Sequence, residues 1–342
     1  MLLAVHGSGW KRESHLLWQG RPCSGREGGQ MSESMRTVLI TGCSSGIGRA
    51  TALLLAENGF RVLAGVRRAE QVEQLADPRL PHLEPVPLDV TNEDDVRRVV
   101  DYAQRICPQG LFGLVNNAGV GLPAAVELST IDEVRRLLEV NTLGPLRMIQ
   151  SCLPLLRAGR GRVINMSSMN GTLALPMVGA YSASKFALEA LCDTLRVELR
   201  PWQIPVIIIR PGQVRTSIFA KARDNLCARS HDIPVELKEG YEVMYARAGQ
   251  FNERGARSST SPEMVAQVVW RALEAKRPRT HYLVGFDAWG MQLAKSLVPR
   301  RLLDRVFARA MRVLKPVNRV NAKQRLKNNF PVLDSPRRHG DH

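Results

Sequence analysis

The chain has no continuous apolar run near the roughly 20 residues that span a bilayer, which removes membrane-spanning helices from consideration. It has no CxxC pair and no metal-ligand spacing: Cys23, Cys43, Cys107, Cys152, Cys192 and Cys227 are scattered along it. Zinc modules and disulfide frameworks are thereby disfavoured, no metal site is expected, and reduced thiols in a cytoplasmic protein are the simplest account. Leu2 to Val5 is too short for the roughly 7 to 15 apolar residues of a secretory signal. No nucleic-acid-binding module is recognisable and the basic C-terminal part holds few aromatics, so no nucleic acid partner is expected.

What is present is ample apolar material. With 44% apolar residues in 342, the chain can bury a sizeable core and does not require a second domain. Residues 1–35 lack sustained periodicity; a disordered extension, or a start misassigned ahead of Met31 or Met35, is the expectation there. Charge is uneven. From Arg271 onward there are 17 Lys/Arg against 5 Asp/Glu, so this end carries +12 of the total +16 and suggests an anionic partner.

The segment RTVLIT at 36–41 has a buried-strand pattern, followed by Gly42-Cys-Ser-Ser-Gly46-Ile-Gly48 and a helical run from Arg49 to Asn58. Strand, glycine-rich turn and helix in that order present backbone N–H groups and a helix N-terminus to a phosphate. A second strand, Arg61 to Val66, ends at Arg67-Arg68, where a carboxylate would otherwise hold a ribose 2′-hydroxyl. Two guanidiniums suit a 2′-phosphate, which favours NADP(H) over NAD(H). The alternative is a solvated arginine pair, and Ser45 does not supply a second basic residue. Strands follow at Leu83 to Leu88 and Leu111 to Val115, with a helix from Asn92 to Ile106 between them. Such alternation implies a parallel sheet covered on both faces. Asp89 and the Asn116-Asn117-Ala118-Gly119 run close two of these strands, as adenine and ligand contacts or as ordinary Asx turns.

Residues 141 to 185 carry the chemistry. Tyr181 and Lys185, four apart in an apolar-periodic run, share one helix face, and a nearby ammonium would lower the phenol's pKa towards a useful range for a general acid/base. Tyr-x-x-x-Lys alone is more often an exposed helical pair. Ser168 follows the strand Val163 to Met166, where its hydroxyl would hold a substrate oxygen. Thr130-Ile-Asp-Glu133 reads as a capping box opening one long helix to Leu156 with Pro145 inside it. Proline has no N–H for the carbonyl four residues back, that of Asn141. The other reading of Pro145 is a packing kink.

Seven motifs in order, TGCSSGIG at 41–48, LDVT at 88–91, NNAG at 116–119, Asn141, Ser168, YSASK at 181–185 and PGQVRT at 211–216, make the chain resemble the short-chain dehydrogenase/reductase family over about residues 36 to 285. Within that family it resembles the 17β-hydroxysteroid and retinol dehydrogenase-like members. The resemblance implies an α/β, Rossmann-type doubly wound parallel sheet in one domain, and hydride exchange between a nicotinamide and an alcohol or carbonyl. It implies that Tyr181 transfers the substrate proton, Ser168 stabilises the oxygen, Lys185 binds the nicotinamide ribose, and Asn141 anchors a water through its carbonyl. It further implies cofactor contacts from Gly42, Ser44, Ser45, Gly46, Ile47 and Gly48 in the turn, and from Arg67, Asp89 and Val90. Asn117, Ala118 and Gly119, then Pro211, Gly212, Val214 and Thr216, complete that set. A nucleotide-binding regulator without catalysis, or a basic nucleic-acid-binding protein, are the competing classes; the complete Asn, Ser, Tyr and Lys set favours the enzyme.

Residues 217–259 read as an irregular substrate lid whose Phe219, Leu226, Tyr241, Met244, Tyr245 and Phe251 wall a pocket for a small lipophilic alcohol or ketone such as a steroid, retinoid or lipid. Thr260-Ser-Pro-Glu263 starts a helix and His281 to Gly285 is a final strand, so the domain is placed at 36–288 and a basic amphipathic helical tail at 289–342. In RRLLDRVFARAMRVLK at 300–315, Arg301, Arg305, Arg309 and Arg312 form a stripe opposite Leu303, Val306, Phe307, Ala310 and Leu314. The expectation is a peripheral seat on an anionic membrane; the alternative is docking on the chain's own domain or on a second subunit, and a homo-oligomer is expected.

Overall fold

The computed structural model describes residues 35–312, apart from the side chains of residues 217–221, 223 and 256–258. The predicted 1–35 extension, except Met35, and the end of the tail beyond residue 312 lie outside the described residues. In chain order the first half runs β1 (Thr37–Ile40), α1 (Gly46–Glu57), β2 (Arg61–Val66), α2 (Ala69–Leu75), β3 (Leu83–Pro87), α3 (Glu93–Ile106) and β4 (Gly113–Asn116). Then come α4 (Ile131–Leu138), α5 (Gly144–Ala158), β5 (Arg162–Met166), α6 (Gly179–Glu198) and β6 (Val206–Pro211). The chain continues through α7 (Ser217–His231), α8 (Lys238–Ser258), α9 (Pro262–Glu274), β7 (His281–Val284), α10 (Phe286–Leu297) and α11 (Arg300–Ala310).

The seven strands form one sheet in the order β3-β2-β1-β4-β5-β6-β7, every pair parallel. A parallel sheet must be covered on both faces, and period-two alternation sorts its side chains into two cores. Val38 and Ile40 of β1 and Val62 and Ala64 of β2 join Leu55 of α1 and Val265 and Val269 of α9 on one face. Leu39 and Leu63 point the other way, into Met148 and Ile149 of α5 and Leu188 and Cys192 of α6. The order of strands reverses between β1 and β4, so their carboxyl ends open a crevice where such sheets take ligands.

Several expectations need correction. The predicted single helix from Thr130 to Leu156 is interrupted: the capping box is present, with Thr130 Oγ1 accepting from Glu133 N at 3.2 Å, but Glu139–Leu143 form a π turn between α4 and α5. Pro145 follows closely on the π turn within continuous helical backbone, and Asn141 sits in that turn, a distortion frequent at functional sites. The stretch 217–259 is not irregular but the packed helices α7 and α8. Their apolar stripe is narrow among many charges, which hides the helical period. Leu226 and Tyr245 are buried with Ala125, Met177 and Ile233, and Tyr241 and Met244 pack against them, whereas Phe251 is exposed and the side chain of Phe219 is not described.

The tail differs too. α10 begins at Phe286, ahead of the expected boundary at residue 289, and α11 ends at Ala310. Much of the apolar face of α11 is already used: Leu303 is buried, Phe307 and Ala310 are half-buried, and Met311 packs against the Ala125–Tyr245 cluster. Arg301, Arg305, Arg309 and Arg312 are exposed as expected. β6 and α2 have no counterpart in the sequence reading.

Candidate active site

The glycine-rich turn is built by close backbone packing. Gly42 has φ +73°, and a Cβ there would stand 2.8 Å from Ala118 Cα; a Cβ on Gly48 would meet the Gly42 carbonyl at 2.3 Å. Only glycine lets these segments meet. Thr41 Oγ1 accepts from both Asn117 N and Ala118 N at 3.0 Å, and Asn117 Nδ2 donates to the carbonyls of Thr41 (3.0 Å) and Gly42 (3.1 Å). Thus the NNAG segment braces the turn from across the crevice. Ser44 and Ser45 are exposed, Gly46 and Ile47 half-buried. Helix α1 has no acidic residue in its first turn and Ser45 makes no capping bond, so its N-terminus suits a phosphate.

Register places the rim. Cys43 N donates to the Gly65 carbonyl and Leu88 N to the Val66 carbonyl, so exposed Arg67 and half-buried Asp89 lie at neighbouring strand ends beside the turn. Asp89 Oδ1 accepts from Thr91 N at 2.9 Å and Thr91 Oγ1 at 2.8 Å, an Asx turn, while buried Val90 packs near Gly144. On the other side, Pro211 closes β6, Val214 is buried and bridges to Thr260, and a Cβ on Gly46 would lie 2.9 Å from Thr216 Cγ2. Gln213 N donates to Asp287 Oδ2 at 2.6 Å, bracing the segment that holds Gly212. Neither Thr41 nor Asp287 was selected from sequence: Thr41 reads as the end of a strand, and Asp287 is 74 residues from its partner.

Asn141, fully buried, is held on all sides. Its Nδ2 donates to the Val120 carbonyl (2.9 Å) and Ser184 Oγ (3.0 Å), and its Oδ1 accepts from Val120 N (2.9 Å). The side chain thereby ties the end of NNAG to α6, leaving the main-chain carbonyl for any further role. Lys185 is 5% exposed and its Nζ donates to the Met166 carbonyl at 2.8 Å. Burial pulls its pKa from 10.5 down to about 8, against which Cys192 and then Glu189 act. A Cβ on Gly119 would stand 3.7 Å from that Nζ, so the lysine borders the crevice.

Tyr181 is half-buried, with the Ser168 hydroxyl close enough to act on its phenol. Its phenol is pushed up from 10.0 by burial, only partly opposed by Ser168. This corrects the expectation that Lys185 lowers the phenol's pKa: Nζ lies 6.0 Å from the ring centroid and is occupied by Met166, so loss of hydration outweighs the ammonium. Ser168 is buried at the carboxyl end of β5, and its Oγ also accepts from Asn170 N at 3.2 Å. A hydroxyl donor, a phenol and an ammonium thus line one end of a crevice whose other end fits a dinucleotide phosphate.

Such a sheet and crevice define a dinucleotide-binding oxidoreductase. The family model described as short chain dehydrogenase matches residues 36–226, and the chain belongs to that family of NAD(P)-dependent oxidoreductases. Retinol dehydrogenase 5 of Mus musculus is 38% identical over 280 residues, 79% of this chain and 87% of that protein. The 17-beta-hydroxysteroid dehydrogenase type 6 of Homo sapiens is 33% identical, covering 80% of this chain and 88% of its own length. A short chain dehydrogenase from Burkholderia cenocepacia, solved in complex with NADP, superposes with TM-score 0.62 at 26% identity, over 82% of this chain and 98% of that one.

Proposed function

We propose that the protein interconverts a hydroxyl and a carbonyl on a lipophilic substrate with NADP(H), Tyr181 being the group that moves the proton. The observation that carries this is the placement of Tyr181, Ser168 and Lys185 at the mouth of the glycine-cradled crevice. A bound nicotinamide dinucleotide would supply or take up the hydride. In the reducing direction Tyr181 donates its proton to the carbonyl oxygen while Ser168 Oγ hydrogen-bonds the same oxygen; in the oxidising direction Tyr181 accepts the hydroxyl proton. A phenol that burial keeps protonated suits the first of these. Lys185, whose Nζ borders Gly119, would hold the nicotinamide ribose. The turn from Gly42 to Gly48 and the α1 N-terminus would hold the pyrophosphate. Helices α7 and α8 wall the lipophilic side: Tyr245 Oη reaches Ala125 N at 3.4 Å, and Ala124 N bonds the Met177 carbonyl just ahead of Tyr181. The relatives' names, a retinol and a hydroxysteroid dehydrogenase, support a substrate of that kind. A carbonyl panel with NADPH and NADH tests the reading; no turnover with any carbonyl, despite dinucleotide binding, would favour a regulatory protein.

The choice of NADP(H) rests on Arg67, exposed at the β2 end with no carboxylate before Glu70. Arg67→Asp is expected to lower kcat/KM for NADPH by at least roughly 10-fold and to raise the NADH to NADPH ratio, because a carboxylate repels a 2′-phosphate and accepts from a 2′-hydroxyl. An unchanged ratio would move the phosphate site away from Arg67.

The membrane seat moves from α11 to α10. No described helix is long and apolar enough to cross a membrane. On α10, however, Phe286 (98% exposed), Trp289, Leu293 and Leu297 project from one stripe opposite buried Ala288, next in sequence to the exposed arginines of α11. An apolar stripe with an aromatic rim beside basic side chains suits the interface plane of an anionic bilayer. The full chain should float with anionic vesicles more than with zwitterionic ones, and a Trp289→Glu/Leu293→Glu variant should remain in solution. Equal flotation of both proteins, or none, removes this part of the proposal.

A further inference from the structure

Glu189 follows Lys185 by one helical turn and Tyr181 by two, so all three lie along one face of α6. Its carboxylate is buried and fully engaged. Oε1 accepts from Ser167 Oγ at 2.6 Å and from Arg210 Nε at 2.9 Å, and Oε2 accepts from Arg210 Nη2 at 2.6 Å. Ser167 precedes Ser168, and Arg210 precedes Pro211 and Gly212. Gly171, closing the turn after Ser168, passes so near that a Cβ on it would stand 2.5 Å from Ser167 Oγ and 2.7 Å from Glu189 Oε1. One carboxylate therefore joins the helix bearing Tyr181 and Lys185, the loop bearing Ser168, and the strand leading into the cofactor-side segment.

We infer that Glu189 is a positioning residue for hydride transfer, holding Ser168 and the Pro211–Gly212 segment in register with Tyr181 through Ser167 and Arg210. This rests on the proposed roles of Tyr181, Ser168 and Lys185. A buried pair of this kind need not add stability, because apolar side chains of similar volume often replace it without loss. A purely structural role would therefore be satisfied by such a replacement, whereas positioning and charge would not. The titratable and charged groups around the carboxylate are Lys185 and Cys192 on α6, Arg210 on β6 and His281 on β7, with Asp193 and Arg196 acting on His281. Glu189 raises the pKa of Lys185, so removing its charge should let the lysine lose its proton at lower pH.

The test compares Glu189→Gln with a Glu189→Met/Arg210→Met variant on a carbonyl substrate that the wild type turns over. Glu189→Gln still accepts from Ser167 but leaves Arg210 without its charge partner. Its kcat should fall roughly 10- to 100-fold, the range seen when the partner that orients a functional group is removed. Its KM for NADPH should change less than kcat, since the turn from Gly42 to Gly48 and the NNAG segment, which make no contact with Glu189, keep their dinucleotide contacts. In both variants the alkaline limb of the kcat/KM profile should move to lower pH. Should Glu189→Gln fail to fold, the double variant, which leaves no buried charge unpaired, carries the test. Restoration of wild-type kcat and of the wild-type limb in the double variant, or an unmoved limb in Glu189→Gln, overturns the inference. Failure of the underlying assignment is separate: it would show as undiminished turnover in Tyr181→Phe, whatever the Glu189 variants do.

Discussion

Tyr181→Phe is expected to reduce turnover by at least roughly 10²- to 10⁴-fold, the usual cost of losing a positioned acid/base, while NADPH binding persists. The ring remains to pack where Tyr181 is now half-buried, so the fold should be intact. What is lost is the proton that, in the proposed mechanism, Tyr181 hands to a substrate oxygen hydrogen-bonded by Ser168. Ser168 alone keeps its hydrogen bond, which leaves a residual rate but no proton source. Comparison of kcat for the two proteins on one authentic carbonyl, with dinucleotide affinity measured in parallel, decides the matter. Wild-type turnover in the variant would remove Tyr181 from the mechanism.

The second expectation couples chemistry to stability. Lys185→Met should lower turnover by a comparable factor and yet make the apoprotein more stable at pH 7. Buried Lys185 has its pKa pulled from 10.5 to about 8. Below about pH 8 both folded and unfolded chains carry the ammonium, and the folded chain bears its full desolvation cost. Between about 8 and 10.5 the unfolded chain still holds a proton that the folded chain has released, so stability rises with pH across that window as the cost disappears. The displacement corresponds to roughly 3 kcal/mol, from which about 1 to 2 kcal/mol is subtracted for the donor lost to the Met166 carbonyl. Urea denaturation should therefore show Lys185→Met about 1 to 2 kcal/mol more stable than wild type at pH 7, with the advantage shrinking or reversing by pH 10. A variant less stable at pH 7, or a difference independent of pH, would contradict the buried cation. The gain lost by keeping a lysine here is the kind of strain that functional sites retain.

Both outcomes turn on the arrangement of a few residues. Much of that arrangement was legible from one chain of letters. The strand, glycine turn and helix at 36–58 follow one another along the chain and are legible for that reason, although Gly42 and Gly46 answer to Ala118 and Thr216 from distant segments. Tyr181 and Lys185 face together because helical spacing dictates it, and the alternation of strands with helices already implied a sheet buried on both faces. β6 escaped notice although its Val206–Pro211 run is almost wholly buried, and the Phe286–Leu297 stripe escaped because nothing local says whether an apolar helix face will be covered.

Direction of charge effects was not legible at all. Four-residue spacing puts Lys185 near Tyr181 but does not set the ammonium's distance, its hydrogen bond to Met166, or how far each group is stripped of water. Those depend on the loops after β4 and β5 closing over α6, an arrangement made by segments far apart in the chain. The same holds for Asn141, whose π turn follows from its contacts with Val120 and Ser184, and for Glu189, whose partners Ser167 and Arg210 lie 22 and 21 residues away. Propensity and periodicity are local and therefore written in order along the chain; hydration, pKa and the meeting of distant strand ends are properties of the packed molecule, since they depend on what excludes water from each group.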